Sequence, residues 1–268
     1  MTETLGIAGS GTIASGLAIV ASASTDVVLW ARSDASVERV NKAIAKGAPR
    51  FEGADADRIK VSTNLSALDS STYLVEAIVE DHDSKAKLLA DLAELTKHQG
   101  DETILSTTTS SLSIGELGKA SGHPERFIGL HVFNPVPMMK LIEVVSSPET
   151  SAETKKRTLA LCEQLNKVAV ETPDTPGFVV NRLLFPYLFD AANFLAESGL
   201  EPKAVDDAMK LGAGLPMGPL ALLDYVGLDV SKAIGDSLSL KTPANMEKLI
   251  SEGALGKKAG RGFYDYAK

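Results

Sequence analysis

Two residues that can do acid–base chemistry lie inside apolar stretches of the sequence: His131 in GLHVF and Glu143 in LIEVV. A buried imidazole or carboxylate is unfavourable unless it has a polar partner. Asn134-Pro135-Val136-Pro137 lies between them and favours a turn, so the two stretches can fold back on each other. Glu143 would then hold one imidazole nitrogen and leave the other to act as a general base near neutral pH. On the residues alone, a purely structural His–Glu pair explains the pattern equally well.

A glycine-rich turn near the N-terminus has the spacing of a dinucleotide-binding motif. The sequence GSGTIA, residues 9–14, fits G-x-G-x-x-G/A and follows the apolar stretch LGIA. The first glycine of such a motif permits a tight turn, the second lets the backbone approach a pyrophosphate, and the last small residue packs against the sheet. The helix that follows offers its N–H groups to an anion. We predict cofactor contacts from Gly9, Ser10, Gly11, Thr12 and Ile13; a plain structural turn is the alternative.

The end of the second strand-like stretch, VVLW, indicates which cofactor is preferred. An NAD-binding site usually has Asp or Glu about 20 residues beyond the glycine turn, where the carboxylate binds the ribose 2′-hydroxyl. Here Ala31-Arg32-Ser33 follows VVLW. Ala31 removes the repelling anion, Arg32 offers a planar guanidinium to a 2′-phosphate, and Ser33 adds a hydroxyl. We therefore predict NADP(H) in preference to NAD(H); a solvated arginine is the alternative.

The regions around these motifs alternate short strand-like stretches with helical ones as far as residue 173. The strand-like stretches are TLGIAG (4–9), VVLW (27–30), YLVEAIVE (73–80), TILSTT (103–108) and FIGLHVF (127–133). Such alternation predicts a parallel sheet wrapped by helices. Beyond this point only helical periodicity remains. We predict an α/β fold, with a Rossmann-type dinucleotide-binding domain over residues 1–173 and an all-helical C-terminal domain over residues 174–268.

Composition argues against several classes of partner. The chain has 268 residues, a net charge of -8, 44% hydrophobic residues and 23% charged residues, a balance unsuited to general nucleic-acid binding. Residues 5–24 carry no charge, but they are too rich in Gly and Ser for a signal peptide or a membrane span. The single cysteine, Cys162, is expected to be a buried structural thiol in a reducing compartment. We predict a cytoplasmic protein with no nucleic-acid partner, no membrane partner and no metal.

Four longer segments closely resemble one enzyme family. These segments are GLHVFNPVPMMKLIEVV, DTPGFVVNRLL, AMKLGAGLPMGPLALLDYVGLD and GKKAGRGFYDY. They are similar to the L-3-hydroxyacyl-CoA dehydrogenase family, and in particular to monofunctional members such as the 3-hydroxybutyryl-CoA dehydrogenases. The resemblance implies reversible oxidation of a 3-hydroxyacyl-CoA, of short chain, to the 3-ketoacyl-CoA with a nicotinamide cofactor. It also implies a homodimer formed through the C-terminal helical domain, which would complete the substrate site.

The resemblance assigns roles to individual residues. His131 matches the family's catalytic base and Glu143 its partner, while Ser110 and Asn181 match residues that contact the substrate's oxygen. The positions that match cofactor contacts are Glu80, Lys85 and Asn134. Without the resemblance, Ser110 reads as a helix cap, Asn181 as a residue that caps a helix or crosslinks the domain boundary, and Glu80 and Lys85 as surface charges.

The chain departs from the family pattern in two places. Thr108-Thr109 stand where the family commonly has Asn-Thr before the paired serines. The segment NKAIAKGAPRFEGADADRIK is shorter than the family's helical arm, which contributes to the CoA site. Lys42, Lys46 and Arg50 in this segment can either meet CoA phosphates or be ordinary surface charges. Two other functions therefore stay open: a dehydrogenase of a free hydroxy acid or sugar acid, and a nucleotide-binding or structural protein that retains the fold.

Overall fold

The structure is a computed structural model that describes residues 2–99 and 102–266. The chain divides into two compact units, Met1–Phe178 and Val179–Lys268. The first unit contains a sheet covered by helices, and the second is helical in its described residues. This architecture confirms the predicted fold class.

The first unit is built on one eight-stranded sheet. Its strands are β1 (Leu5–Ala8), β2 (Val27–Trp30), β3 (Ile59–Ser62), β4 (Tyr73–Glu76), β5 (Ile104–Thr107), β6 (Phe127–Val132), β7 (Leu141–Ser146) and β8 (Val168–Pro173). The order across the sheet is β3-β2-β1-β4-β5-β6-β7-β8. The first six strands are parallel and have the order of a Rossmann fold. The β6–β7 pair is antiparallel and the β7–β8 pair is parallel, so the predicted parallel sheet reverses strand direction once, after β6.

Helices cover both faces of this sheet. They are α1 (Thr12–Ala21), α2 (Asp34–Gly47), α3 (His82–Leu95), α4 (Ile114–Ala120) and α5 (Ala152–Gln164). Residues of α1, α2 and α5 pack in one buried cluster, and residues of α3 and α4 pack in a second. Cys162 on α5 is fully buried, and its burial, with the nearby Glu163, raises its pKa to about 12. The thiol therefore stays protonated and packs as an apolar side chain, as expected.

The segment that leads out of β8 belongs to the first unit. Asp174 accepts hydrogen bonds from the backbone N–H groups of Ile114 and Gly115 at 3.0 and 2.9 Å and from the Ser113 hydroxyl at 2.9 Å. The carboxylate thus satisfies the free N–H groups at the start of α4. Phe178 is buried in the same cluster as α4. These contacts explain why the first unit continues through the DTPGF sequence.

The second unit packs five helices around one apolar core. They are α6 (Val180–Ser198), α7 (Pro202–Ala213), α8 (Pro219–Val226), α9 (Leu228–Ser237) and α10 (Ala244–Ser251). Its buried centre includes Phe185, Leu188, Leu220, Leu223 and Met246. None of the helices in the described part of the chain is long and apolar enough to cross a membrane.

Two buried aspartates hold the C-terminal segment GKKAGRGFYDY against this core. Asp224 accepts the N–H groups of Phe263 and Tyr264, each at 2.9 Å. Asp206 accepts the Tyr264 hydroxyl at 2.7 Å and the N–H groups of Leu220 and Ala221. These hydrogen bonds give the GKKAGRGFYDY motif a structural role, which is to hold the C-terminal segment against the helical core.

Gly262 in this segment leaves no room for a side chain. A Cβ added there would lie 1.9 Å from Asp224 Oδ1. We expect Gly262→Ala to lower the free energy of unfolding by about 2 kcal/mol or more, because a buried, hydrogen-bonded carboxylate must move. Gly212→Ala is the matched control, since its Cβ would meet no described atom within 4 Å and it lies within α7. Chemical denaturation of both variants checks this; equal stabilities would contradict it.

Candidate active site

Four loops meet at one edge of the sheet. The parallel strands align Ala8 with Glu76, Glu76 with Thr107, and Thr107 with Gly129. The carboxyl ends of β1, β4, β5 and β6 therefore lie side by side. In open α/β sheets this edge is where ligands bind. The glycine turn, the residues after β4 and β5, and the end of β6 all lie there.

The glycine turn has the geometry of a dinucleotide cradle. Gly9 has φ +157°, and a Cβ there would lie 2.2 Å from the Ala77 carbonyl oxygen. A Cβ on Gly11, in contrast, would meet no described atom within 4 Å, so the space above the turn is open. Within the described residues no side chain caps α1, and its first turn holds no acid. The open space and the uncapped helix start fit the pyrophosphate of a dinucleotide.

The end of β2 lacks the acid that binds a ribose 2′-hydroxyl. Ala31 is buried and bonded through its N–H to the Ser62 carbonyl at 2.9 Å. Arg32 is exposed and forms no ion pair or hydrogen bond with the described residues. The Ser33 hydroxyl caps α2 by accepting the Ser36 N–H at 3.4 Å. Arg39, which we had not predicted, extends from α2 to the glycine turn.

Glu80 orders the turn after β5 through one carboxylate oxygen. Its Oε1 accepts the backbone N–H groups of Ser110 and Ser111 at 2.8 and 3.1 Å. It also accepts the hydroxyls of Thr109, Ser110 and Ser111 at 2.6, 3.2 and 3.0 Å. Because the Ser110 hydroxyl donates to Glu80, its oxygen is left to accept a hydrogen bond.

A buried ion pair lies behind Glu80. The Lys85 ammonium is 2.8 and 3.0 Å from the two oxygens of Glu76 and 3.4 Å from Glu80 Oε2. Lys85 and Glu76 are 1% and 0% exposed, and Thr107 donates a further bond of 2.6 Å to Glu76. Burial alone raises the pKa of Glu80, but the Lys85 charge and the hydrogen bonds at its carboxylate outweigh burial and lower it. Glu80 therefore stays ionised.

His131 and Glu143 form a direct cross-strand pair. They lie opposite each other in the antiparallel β6–β7 register, so both side chains are on the same face of the sheet. His131 Nδ1 is 2.6 Å from Glu143 Oε2, and the two residues are 5% and 1% exposed. A carboxylate can only accept, so Nδ1 carries the proton. Nε2, which forms no hydrogen bond within the described residues, is then the basic nitrogen.

Aromatic rings and a buried lysine fix the surroundings of this pair. The His131 ring lies 4.5 Å from the Phe133 ring and 5.3 Å from the Phe178 ring, centroid to centroid. Lys167, immediately before β8, donates to the carbonyls of Val136 and Met139 at 2.6 and 2.7 Å. This lysine therefore holds the proline-rich turn after β6. Asn134 of that turn lines a cavity of about 320 Å³ together with the glycine turn.

The structure groups most of the predicted site residues in the first unit. Glu80, Lys85 and Ser110 form one cluster, and His131 and Glu143 form a pair. Gly9, Ser10, Gly11, Thr12 and Ile13 form the cradle and the start of α1, and Arg32 and Ser33 follow β2. Asn181 lies in the first turn of α6, in the second unit. Lys42, Lys46 and Arg50 are exposed.

Four contributing residues escaped the sequence analysis: Glu76, Arg39, Lys167 and Asp174. Only Glu76 gave a signal, as an acid within the strand-like stretch YLVEAIVE. In the described part of the chain no group of three or more His, Cys, Asp or Glu residues is placed to hold a metal ion.

Comparison with known proteins assigns the chain to a family. Residues 4–175 match the NAD binding domain of 3-hydroxyacyl-CoA dehydrogenase, and residues 177–266 match its C-terminal domain. The mitochondrial hydroxyacyl-coenzyme A dehydrogenase of Rattus norvegicus is 40% identical over 97% of this chain and 90% of its own length. The 3-hydroxybutyryl-CoA dehydrogenase of Clostridioides difficile is 38% identical over 98% and 99%. The crystal structure of (S)-3-hydroxybutyryl-CoA dehydrogenase from Ralstonia eutropha superposes with a TM-score of 0.92 at 35% identity, with full coverage of both chains.

The chain belongs to the 3-hydroxyacyl-CoA dehydrogenase family, which confirms the resemblance seen in its sequence. The NAD binding domain of this family implies a nicotinamide dinucleotide cofactor. The residues of the glycine turn fit such a group, because the turn offers open space and N–H donors.

Proposed function

We propose that this protein interconverts a 3-hydroxyacyl-CoA and the 3-ketoacyl-CoA, with His131 as the general base and acid. The observation that carries the proposal is the 2.6 Å contact of His131 with Glu143 at the sheet edge that also holds the glycine turn. Family membership and the names of the relatives support the substrate class. By the same analogy we propose a short acyl chain, such as 3-hydroxybutyryl.

The geometry suggests how the residues share the reaction. A bound nicotinamide dinucleotide would supply the hydride acceptor for C3 of the substrate. Nε2 of His131 takes the proton of the C3 hydroxyl during oxidation, and the imidazolium returns it during reduction. Glu143 keeps the proton on Nδ1 and stabilises the imidazolium. Because Glu143 is buried, the attraction between its carboxylate and the imidazolium of His131 is stronger than it would be in water.

Ser110 and Asn181 complete the proposed substrate contacts. The Ser110 hydroxyl, which donates to Glu80 at 3.2 Å, would turn to donate to the C3 oxygen of the substrate as negative charge develops there, while the C3 hydroxyl gives its own proton to Nε2 of His131. Lys85 would act through Glu80, because its ammonium is enclosed by Glu76 and Glu80. By analogy with the family, Asn181, on α6 of the helical unit Val179–Lys268, would supply an amide donor to the substrate.

We propose NADP(H) as the preferred cofactor. Arg32 is exposed and forms no ion pair with the described residues, and Ala31 brings no negative charge to the end of β2. A 2′-phosphate would gain a charge-assisted hydrogen bond from the guanidinium.

The cofactor proposal predicts the effect of a double substitution. Ala31→Asp with Arg32→Ile should lower the NADPH/NADH ratio of kcat/KM by roughly 10²-fold, because a cation is lost and an anion is introduced. Arg58→Ile is a matched control on the surface, since Arg58 pairs with Asp26 just before β2, at the opposite end of that strand. A ratio unchanged in the double variant would exclude Arg32 as the phosphate-binding residue.

One absorbance experiment tests the activity. Acetoacetyl-CoA, free acetoacetate and a buffer blank are each incubated with NADPH and with NADH, and oxidation is followed at 340 nm. We expect turnover with acetoacetyl-CoA and faster turnover with NADPH. Turnover of the free acid alone would favour the second candidate, a dehydrogenase of free hydroxy acids. That candidate is suggested by the short α2–β3 connection, which contains only two single turns of 3-10 helix. If no combination of substrate and cofactor gave turnover, the proposal would be contradicted.

We also propose a homodimer formed through the helical unit. On α6, Leu183 and Phe194 lie three turns apart on one face and are 69% and 51% exposed. Leu211 on α7 is 87% exposed. Large exposed apolar side chains of this kind mark a protein interface. Analytical sedimentation of the unmodified protein at two concentrations measures its oligomeric state.

A further inference from the structure

Arg39 is a cation held over the glycine turn by hydroxyls alone. Its Nη2 donates to Ser36 Oγ at 3.1 Å and to Ser10 Oγ at 3.4 Å. It pairs with no carboxylate in residues 2–99 or 102–266, whereas Arg58, Arg157 and Arg261 each pair with an acid. The full positive charge of Arg39 is thus available to a ligand.

The cavity beside Arg39 has the size and polarity of a ligand site. It measures about 320 Å³, which is within the range of small-molecule sites. The glycine turn, α1, α2 and the proline-rich turn form its walls, and the polar residues among them are Ser10, Thr12, Ser15, Arg39 and Asn134. No acid lines it within the described residues. In a chain of net charge -8, this cation would draw an anionic group into the cavity.

We infer that Arg39 is a phosphate-binding residue and that its cavity takes a phosphate of an adenine nucleotide. A planar guanidinium oriented by two hydroxyls matches phosphate oxygens, and Ser10 and Ser36 fix its direction before the ligand arrives. The inference rests on the proposed function, which brings two ligands of this chemistry: the dinucleotide cofactor and the CoA thioester. The contact with Ser10 in the glycine turn favours the cofactor's 2′-phosphate.

Four nucleotides that differ in single phosphates test the inference. Dissociation constants of NADPH, NADH, coenzyme A and 3′-dephospho-coenzyme A are measured by calorimetry on the full chain. The variants are Arg39→Ala, Arg39→Lys and the control Arg58→Ala, each with its thermal unfolding midpoint. We expect Arg39→Ala to weaken NADPH by roughly 10- to 100-fold and to leave NADH within twofold. Arg39→Lys should recover part of this loss, because it keeps the charge without the planar fork.

The other arms of the experiment identify the phosphate. A loss for coenzyme A but not for its 3′-dephospho form assigns Arg39 to the 3′-phosphate. If NADPH and NADH lose affinity equally, Arg39 is assigned to the pyrophosphate of the cofactor. If coenzyme A and its 3′-dephospho form lose affinity equally, Arg39 is assigned to the pyrophosphate of coenzyme A. All four constants within twofold of the unmodified protein, as expected for Arg58→Ala, overturn the inference, and so does a failure of the unmodified protein to bind any of them. The dissociation constants are measured without turnover. The role of Arg39 can therefore be supported even if the acetoacetyl-CoA assay fails, and it can be overturned even if that assay succeeds.

Discussion

Replacing His131 with alanine should lower kcat for acetoacetyl-CoA reduction by about 10²- to 10⁴-fold, the usual contribution of a general acid or base. The only basic nitrogen of the proposed proton transfer is removed, whereas the glycine turn and the residues after β2 are untouched. NADPH and NADH should therefore bind within twofold of the unmodified protein. Steady-state kinetics and cofactor titration together check the prediction. A kcat within threefold of the unmodified protein would refute the role of His131.

Glu143→Gln is the matched control for this experiment. The amide occupies nearly the same volume and can still accept from Nδ1, but it does not offer a negative charge to the imidazolium. We expect a smaller loss of kcat than for His131→Ala, with the acidic limb of the kcat/KM profile for hydroxyacyl oxidation moved to lower pH. A purely structural pair would leave that profile in place.

The second large effect should appear in stability rather than in kinetics. Lys85→Met leaves the fully buried carboxylate of Glu76 without its cation, although Thr107 and the Ile78 N–H still donate to it. Breaking a buried pair from one side is expected to lower the free energy of unfolding by about 3–5 kcal/mol. Denaturant titration measures the change, and a loss of less than 1 kcal/mol would show that the pair does not stabilise the fold.

Two controls isolate the buried charge as the cause. Lys87→Met makes the same change on the same helix, but Lys87 is 79% exposed beside Asp91, and we expect a change of about 0.5 kcal/mol or less. Adding Glu76→Gln to Lys85→Met removes the unpaired anion and should recover most of the stability.

The same lysine predicts how stability depends on pH. The pKa of Glu80 is lowered from 4.5, so its stabilising contribution is fully present above that value and is lost as the pH falls through the lower folded-state value. Without Lys85, the largest influence that lowers the pKa of Glu80 is absent. The decline in stability of Lys85→Met between neutral and acidic pH should be correspondingly shallower than in the unmodified protein.

The sequence was most informative where function requires a fixed local pattern. The glycine turn and the alternation of strands and helices identify the Rossmann-type unit. Both the close approach of the backbone to a cofactor and the spacing of apolar residues are set by residues that are near one another in sequence. The pairing of His131 with Glu143 does not follow from the local pattern, because it depends on β6 and β7 being neighbours in antiparallel register. Neither residue type nor spacing distinguishes a hairpin from two separate strands.

The contacts missed from sequence are long-range or depend on burial. Lys85 reads as a surface charge on a helix, and only the packing of α3 against β4 encloses it with Glu76. Lys167 acts on carbonyls 31 and 28 residues away. Arg39 resembles any polar residue of an amphipathic helix, and its role follows from the approach of α2 to the glycine turn.

The strand order has a consequence for how this enzyme can change. The residues proposed to choose the cofactor follow β2, whereas the proposed acid–base pair lies on β6 and β7. Three strands, β1, β4 and β5, separate β2 from β6, a span of roughly 19 Å at about 4.8 Å per strand. Substitutions that far apart usually have additive effects on free energy. Cofactor choice at Ala31 and Arg32 and proton transfer at His131 can therefore vary independently, so evolution or engineering can exchange one nucleotide for another at the end of β2 without rebuilding the base.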